Sequence, residues 1–283
     1  MLTSEHIKPF LTALSVVTLV TACGGSSTVQ IDIPDQANTP TTPITEGCEN
    51  PVTDIPPIFL EFNPSPNVTA VLSEDGCSVT LEANGKPNHT SSYWDADNAS
   101  GLYVEPEDPE LFNQRRSPGD IEDYVNFFEL TVPIEPELAA TTSASPLGPI
   151  GIATSGAPIF NDSEGNGDVS MGVIQGFDRN GAHTGPSTYH YHLEPRAISY
   201  DDDNLVGIMS DGFFIYGRSC YSTGGHPTDL DASNGHFSIT QFTGSSSDDV
   251  VYHYHISAEQ YLNGDYYLIF PGNFQGTPYG VSF

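Results

Sequence analysis

The sequence predicts a mostly β protein, and three observations support this prediction. Aromatic residues are frequent, with 14 Tyr and 15 Phe, and such side chains favour strands. Gly and Pro are also frequent, at 27 and 23 residues, as is typical of chains with many tight turns. No long stretch has the hydrophobic period of an amphipathic helix. We therefore expect a sandwich or barrel-like core with few short helices, built from two related units that each contain the tetrapeptide YHYH.

The first 22 residues are interpreted as a lipoprotein signal peptide. Their apolar run of 14 residues, PFLTALSVVTLVTA, is too short for a stable membrane span but suits the core of a signal. The run ends in LVTAC, which resembles the lipobox of bacterial lipoproteins and implies cleavage before Cys23 and acylation of that residue. A plain secretory signal is the alternative. Both interpretations place the protein outside the cytoplasm, and the first anchors it by lipid to a bacterial membrane, in the outer membrane or at the cell surface.

Residues 23–55 are rich in Thr, Pro and Asp and lack hydrophobic periodicity, so they are predicted to form a flexible tether. The folded β domain is then expected over residues 56–283. Besides Cys23, the chain has Cys48, Cys77 and Cys220, and an extracytoplasmic location permits a disulfide. Three pairings are open, although Cys48 and Cys77 flank a segment that can close a loop, and the cysteine left over can be buried and inert.

Alternation of apolar and polar residues predicts the strands of this domain in order. The first three are FLEFN from Phe59, VTAVLS from Val68 and CSVTLEANG from Cys77. The next is YVNFFELTVPI, which Pro133 interrupts. Further strands are expected in GPIGIATSGAPIF, SDGFFIYG and DYYLIF, and a short helix in ISAEQYLNG.

The charge excludes one class of partner. With 7 basic and 37 acidic residues, the net charge is −30. Such a surface repels nucleic acid and anionic lipid headgroups, so no nucleic-acid partner is expected. The expected partners are a membrane, through the N-terminal lipid, and a metal ion or small molecule. A solvated acidic surface that keeps the protein soluble is the simpler interpretation of the charge.

Two segments, about 156–192 and 211–255, share three elements in the same order. These are a short apolar element, PIF or FIY, then Asp-x4-His, then YHYH. The Asp-x4-His elements consist of Asp178 and His183 in the first segment, and of Asp231 and His236 in the second. Between that histidine and the first tyrosine lie five residues in the first segment and fifteen in the second.

The repeated YHYH predicts a metal site. On a strand, His190 and His192 point to one face and stand roughly 7 Å apart, so their imidazoles can converge on one ion. Packing of the two units is expected to bring His253 and His255 to the same pocket, with His183 and His236 as additional or substitute ligands. The alternative is that these residues only pack and satisfy backbone carbonyls.

Other side chains near these histidines are expected to support the metal. Asp178 and Asp231 can bind directly or orient an imidazole through its second nitrogen. The tyrosines beside the histidines are expected to be ligands or hydrogen-bond donors; they are Tyr189, Tyr191, Tyr252 and Tyr254. Imidazole and carboxylate suit zinc or copper, and also iron or nickel. Cys220, at unknown distance, is the one candidate sulfur ligand, which argues against a Cu(I) thiolate site and against an iron–sulfur cluster.

A second type of ion is expected at DSEGNGD, from Asp162 to Asp168. It has oxygen ligands at positions 1, 3, 5 and 7 and Gly167 at position 6, as in the first half of a calcium loop. Position 12 is Val173 rather than Glu, so a polar loop is the alternative. No nucleophile elbow, phosphate loop or dinucleotide fingerprint is present, so no catalytic residue is assigned and enzymatic activity stays open.

At these residues the sequence resembles the bacterial YHYH-domain proteins, named for the tetrapeptide. The matching stretches run from about residue 70 to the C-terminus and are EANGKPNHTSSYW, GPIGIATSGAPIFN, DGFFIYG, NGH and both YHYH copies. Two departures are NGAH before His183, where the family favours Asn-Gly-His, and Phe214, where it favours Pro. The resemblance implies a secreted or surface-anchored protein, adds His89 to the candidate supporting residues and implies no assigned reaction.

The predicted function is therefore that of a surface-anchored lipoprotein that binds a transition metal through paired His-x-His strands. One alternative is a metal-free β module in which His and Tyr bind a small ligand or a glycan. Another is a metal-dependent hydrolase or oxidoreductase, in which an open coordination position activates water or dioxygen.

Overall fold

A computed structural model describes residues 48–62, 64–97, 99–105, 120–185, 187–246 and 248–281. Strands make up 31% and helices 7%, which confirms the predicted mostly β class. The predicted signal peptide, Cys23 and the tether up to residue 47 lie outside the described residues. Within the described part of the chain, no helix is long and apolar enough to cross a membrane.

The described chain contains fifteen strands and four short helical turns. The strands are β1 (Val68–Leu72), β2 (Ser78–Ala83), β3 (Phe128–Pro133), β4 (Leu138–Ala144), β5 (Gly151–Ala153), β6 (Pro158–Ile159), β7 (Ser163–Glu164), β8 (Gly167–Asp168), β9 (Ala182–Thr184), β10 (Tyr189–Tyr191), β11 (Leu205–Met209), β12 (Phe214–Tyr216), β13 (Gly235–Ser238), β14 (Val251–His255) and β15 (Asn273–Gly276). The helical turns are α1 (Pro57–Leu60), α2 (Asp120–Asp123), α3 (Met171–Ile174) and a 3-10 turn at Tyr261–Asn263.

The main feature is a curled sheet of eight strands that forms a half-barrel. Its order is β13-β14-β12-β11-β5-β6-β10-β9, with β5 and β11 paired antiparallel at the centre. Outward from the centre, each half has an antiparallel hairpin, then a parallel YHYH strand, then an antiparallel edge strand. The predicted segments, about 156–192 and 211–255, thus supply the outer three strands of each half with the same order and pairing, while their status as two related units stays a prediction.

Glycine is required at the turn of each central hairpin. Gly156 between β5 and β6 has φ +104°, and Gly212 between β11 and β12 has φ +90°. Side chains other than hydrogen rarely tolerate this region. A Cβ on Gly156 would also lie 2.7 Å from the Cβ of Asn67. The Ser-Gly and Asp-Gly pairs of the sequence therefore determine where each hairpin reverses.

A three-stranded sheet, β1-β2-β3, packs on one face of the large sheet. Its inward side chains, such as Leu81 and Leu130, share one apolar cluster with Ile152 and Ile208 of the central strands. The opposite face carries a second cluster with the four tyrosines of the YHYH strands. The large sheet is therefore covered on both faces.

The disulfide joins Cys48 to Cys77, with Cα atoms 5.5 Å apart, and Cys220 is free and buried. The backbone N–H of Val52 also donates to the carbonyl of Gly76 at 2.9 Å. Residues 48–55, placed in the predicted tether, are thus attached to the β domain. Of the three disulfide pairings that the sequence allows, the structure therefore has Cys48–Cys77.

Two predicted strands are wrong. FLEFN begins as the helical turn α1, because Pro57 presets a helical φ and places Phe59 and Phe62, three residues apart, on one buried side. In DYYLIF only Leu268 pairs, through an isolated bridge to Leu193. Its residues from Tyr266 to Phe270 are all buried, a run without the alternation of a half-exposed strand.

Candidate metal centres

The structure gathers six of the predicted histidines into two separate groups of potential ligands. We define the Glu164 site as Glu164, His183, His190 and His192, and the Cys220 site as Cys220, His236, His253 and His255. In each site one ligand atom per residue lies within 4.8 Å of the others. The expectation of a single pocket is wrong, because four strands separate the two YHYH strands in the sheet.

Strand register places three histidines in each site. His190 on β10 pairs directly with His183 on β9, and His253 on β14 pairs with His236 on β13. Directly opposed residues of antiparallel strands point to the same face. The next histidine of YHYH is two residues further on and shares that face. The Asp-x4-His element thus supplies the strand that pairs with YHYH.

Sequence reasoning did not assign the fourth residue of either site: it noted Cys220 as a candidate sulfur ligand at unknown distance and placed Glu164 in the calcium segment. Glu164 reaches its site from the β7–β8 hairpin, and Cys220 lies in the loop after β12. Each stands four residues after the aromatic end of the PIF or FIY element, Phe160 or Tyr216. Extending the alignment of the two segments by four positions would have paired Glu164 with Cys220.

Hydrogen bonds to the second ring nitrogens determine which nitrogens face the site. Nδ1 of His192 lies 2.6 Å from the carbonyl of Asn161, and Nδ1 of His255 lies 2.7 Å from that of Gly217. The inner histidines make the same contact with carbonyls two residues earlier, at 3.1 Å for His190. Because a carbonyl only accepts, each Nδ1 carries a proton, and Nε2 is the atom that faces the site, with a bare lone pair in the neutral form of the ring.

In the Glu164 site, Oε1 of Glu164 and Nε2 of His183 and of His192 have no hydrogen-bonding partner. Oε1 of Glu164 lies 2.9 Å from Nε2 of His183 and 3.1 Å from Nε2 of His192. Although these separations are short, the atoms are not aligned as hydrogen bonds, and all three are buried and unsatisfied. Four ligands arranged tetrahedrally at about 2.05 Å from zinc stand about 3.4 Å apart. The three atoms therefore converge on a point at nearly the spacing that a metal ion imposes.

The Cys220 site has the same arrangement with sulfur in place of oxygen. Nε2 atoms of His236 and His255 face each other at 3.2 Å, and Sγ of Cys220 lies 3.5 Å from Nε2 of His236. Nδ1 of His236 faces the carboxylate of Asp229 at 2.9 Å, which sequence reasoning also missed. A carboxylate in this position raises the basicity of a ligating imidazole. A proton or a metal ion must lie between the facing lone pairs.

Electrostatics favours a cation in both sites. Burial disfavours the charged forms of Glu164 and Cys220, but the interaction of each group with the neighbouring histidines outweighs it. The pKa of Glu164 is held well below its usual range by His183 and His192. The pKa of Cys220 falls to about 3, mainly through His253 and His255. Each site therefore presents one anionic ligand together with imidazoles.

The inner histidines are held neutral by their surroundings. Burial and repulsion from neighbouring imidazoles place the pKa of His190 well below its usual value, and burial lowers the pKa of His253. Phe160 stacks on His190 with ring centroids 3.8 Å apart, and Phe177 stacks on His192 at 5.4 Å. Neutral imidazole is the form that binds metal, and stacked rings restrict its rotation.

The tyrosines and aspartates predicted to support the metal lie on the opposite face of the sheet. Tyr189 donates to Asp178 at 2.7 Å, and Tyr252 donates to Asp231 at 2.7 Å. Each aspartate also accepts a backbone N–H two residues on, at Asn180 or Ser233, inside the turn that leads to β9 or β13. The structure therefore gives these aspartates a structural role: they attach the turn to the YHYH strand. Alternation along the strand separates them from the imidazoles.

Tyr191, Tyr254 and His89 also lie away from the two sites. Tyr191 contacts His89 at 2.5 Å and Ser155 at 2.8 Å, and Tyr254 donates to Asp211. The calcium segment Asp162–Asp168 forms the β7–β8 hairpin. In the described part of the chain, a cluster of three or more potential ligands occurs only at the two histidine sites, so calcium binding there stays a prediction.

The fold and these sites define a β protein with two histidine clusters, one in each half of its main sheet, of which the Cys220 site is fully buried and the Glu164 site partly buried. Residues 129–228 match the family model described as YHYH protein, which confirms the resemblance over that part of the chain. The matched region contains the whole Glu164 site and Cys220, and it ends before the second YHYH. Comparisons with curated proteins and with solved structures gave no significant match.

Proposed function

We propose that this protein binds two transition-metal ions, one at the Glu164 site and one at the Cys220 site. The observation that supports this proposal most strongly is the set of bare Nε2 lone pairs, whose Nδ1 partners are backbone carbonyls. Buried polar atoms without partners cost about 1–3 kcal/mol each, which a bound ion would offset. Zinc suits both ligand sets, and copper suits the imidazoles of both.

The metal-free alternative predicts a groove without converging histidines. Instead, three histidines converge in each site on an anionic fourth residue. The pairing of His183 with His190, and of His236 with His253, requires no ligand but places the rings so that one ion can contact all of them. We therefore rank metal binding above recognition of a small ligand or glycan.

Metal content of the purified full chain, prepared without a histidine tag, tests the proposal. We expect two equivalents of metal by elemental analysis. His190→Ala with His192→Ala should remove one equivalent, and His253→Ala with His255→Ala the other. Combining His190→Ala with His253→Ala should weaken both sites, since each loses a ligand.

His226→Ala is the matched control, because His226 is 45% exposed and bonds to Asp201 outside both sites. It should retain both equivalents. A wild-type protein that carries no metal and binds no added zinc or copper would refute the proposal. The histidines would then serve packing or contacts with an organic ligand, which a screen of small molecules and glycans would address.

We further propose that the protein is anchored by lipid on the outside of a bacterial cell. The lipobox-like LVTAC supports this, and the Cys48–Cys77 disulfide fits an oxidising compartment. Cys23→Ser should abolish incorporation of labelled fatty acid and release the protein from membranes. Labelling that persists in this variant would contradict the assignment.

A second candidate function is metal-dependent hydrolysis or oxidation at the Glu164 site. The observation that favours this site is its position: the side chains of Glu164 and His183 are 25% and 19% exposed, so this site borders solvent, whereas all four residues of the Cys220 site are buried. Turnover of model esters or phosphoesters, or of a redox substrate, should disappear with Glu164→Gln. Activity that survives this change would exclude the Glu164 site.

A further inference from the structure

The two sites are built alike except at one position. Each takes a His-x-His pair from a YHYH strand and a third histidine from the paired edge strand. In each site the second histidine of the YHYH strand, His192 or His255, donates to a backbone carbonyl. This carbonyl belongs to Asn161 or Gly217, the residue directly after the aromatic end of PIF or FIY. The fourth residue stands four positions after Phe160 in one site and four positions after Tyr216 in the other. It is Glu164 in one site and Cys220 in the other.

This position decides the chemical hardness of each site. A thiolate is a soft ligand that favours zinc, Cu(I) and other thiophilic ions, whereas a carboxylate also suits hard ions such as Mn²⁺. Because the three imidazoles are common to both sites, they contribute little to any difference in selectivity. The difference must come from the fourth ligand and from access to solvent.

Exposure to solvent, like the fourth ligand, favours a harder ion at the Glu164 site and a thiophilic ion at the Cys220 site. Glu164 and His183 are partly exposed, at 25% and 19% of their side chains. Hard cations prefer six ligands and retain waters, and this site borders solvent through these two side chains, although Oε1 of Glu164 and Nε2 of His183 are themselves buried. All four residues of the Cys220 site are buried, so an ion there is confined to the four protein ligands. Four ligands with one thiolate suit a tetrahedral thiophilic ion.

We propose that the residue at this position sets metal selectivity, so that one chain holds two different metals: a thiophilic ion at the Cys220 site and a harder, water-bearing ion at the Glu164 site. The inference depends on the proposed function, because it requires that both sites bind metal. It goes further by naming the residue that discriminates between ions and by predicting that selectivity moves with that residue.

Variants that keep only one of the two sites allow the metal selectivity of each site to be measured separately. His253→Ala with His255→Ala leaves the Glu164 site, and His190→Ala with His192→Ala leaves the Cys220 site. For each full-length protein we would measure affinities for Cd²⁺ and Mn²⁺, and record the near-ultraviolet spectrum with Co²⁺. We expect the ratio of Cd²⁺ to Mn²⁺ affinity to be at least about tenfold higher at the Cys220 site. A thiolate-to-cobalt charge-transfer band should appear there alone.

The Glu164→Cys substitution should give the Glu164 site the metal selectivity of the Cys220 site. In the protein with only the Glu164 site it should create the charge-transfer band and raise the Cd²⁺-to-Mn²⁺ ratio at least about tenfold. Glu164→Gln is the matched control, since it removes the charge without adding sulfur, and should create no band. Cys220→Ser, in the protein with only the Cys220 site, should abolish the band and lower the Cd²⁺-to-Mn²⁺ ratio. This variant tests the inference even if the Glu164→Cys protein does not fold.

The outcomes separate the two proposals. If neither single-site protein binds any of the three ions, the proposed function fails, and the inference with it. If both bind, but with equal Cd²⁺-to-Mn²⁺ ratios, only the inference is overturned. A folded Glu164→Cys protein that binds Co²⁺ without the band also overturns the inference, because its new thiol would not be a ligand.

Discussion

Burial of Asp211 makes the stability of this protein depend on pH in an unusual direction. The residue is 1% exposed, and its carboxylate accepts hydrogen bonds from Tyr254 at 2.5 Å and from the backbone of Gly276 at 3.0 Å. Burial nevertheless dominates and raises the pKa of Asp211 from 3.8 to about 6. A raised pKa of an acid in the folded state means that folding disfavours ionisation.

The sign and the magnitude follow from linkage. The stability that Asp211 contributes is fully present below pH 3.8 and is lost as the pH rises through about 6, because the folded state holds the proton more tightly. Moving the pKa over this interval corresponds to about 3 kcal/mol. Asp211→Asn keeps an oxygen for Tyr254 but cannot ionise. Relative to wild type, this variant should therefore gain about 2.4 kcal/mol between pH 4 and pH 7, because part of the loss has already occurred at pH 4.

Urea unfolding of both proteins at several pH values measures this difference. Other groups, including both candidate metal sites, are common to the two proteins and cancel in the comparison. Asp248→Asn is the control, since Asp248 is exposed, and it should follow the wild-type curve. A difference between Asp211→Asn and wild type that stays constant with pH, or that shrinks as the pH rises, would refute the reasoning.

Three further predictions concern stability. Replacing Cys48 and Cys77 by Ser opens a loop with a sequence separation of 29 and should cost about 3–4 kcal/mol in urea unfolding; an unchanged midpoint would contradict this. Arg218→Met leaves buried Glu194 without its partner at 3.1 Å and should cost about 3–5 kcal/mol, whereas adding Glu194→Leu should recover most of the loss; equal losses in the single and double variants would count against a buried ion pair. Metal at 100 times its dissociation constant should stabilise by about 2.7 kcal/mol per site, so chelation should lower the melting temperature; a melting temperature insensitive to chelator would contradict metal binding.

Local patterns were enough to predict much of the sheet. Alternation identified β1, β2 and β3, and the predicted strands in GPIGIATSGAPIF and SDGFFIYG contain β5, β6 and β12. Alternation also separated the tyrosine face from the histidine face of each YHYH strand. It failed where Pro57 opened a helical turn, and in DYYLIF, where burial on all sides removes the contrast between faces.

The sequence by itself determined the class of fold, the repeated elements and the six histidines that converge, because these depend on the two-residue period of strands and on turn chemistry. Tertiary structure alone decided that the histidines form two sites. The two halves of the sheet meet at the pair β5 and β11. In each half the two strands of the central hairpin lie between this junction and the YHYH strand, so four strands separate the two YHYH strands. It also brought in Glu164 and Cys220, since loops beyond the hairpins have no period by which a sequence shows where their side chains point.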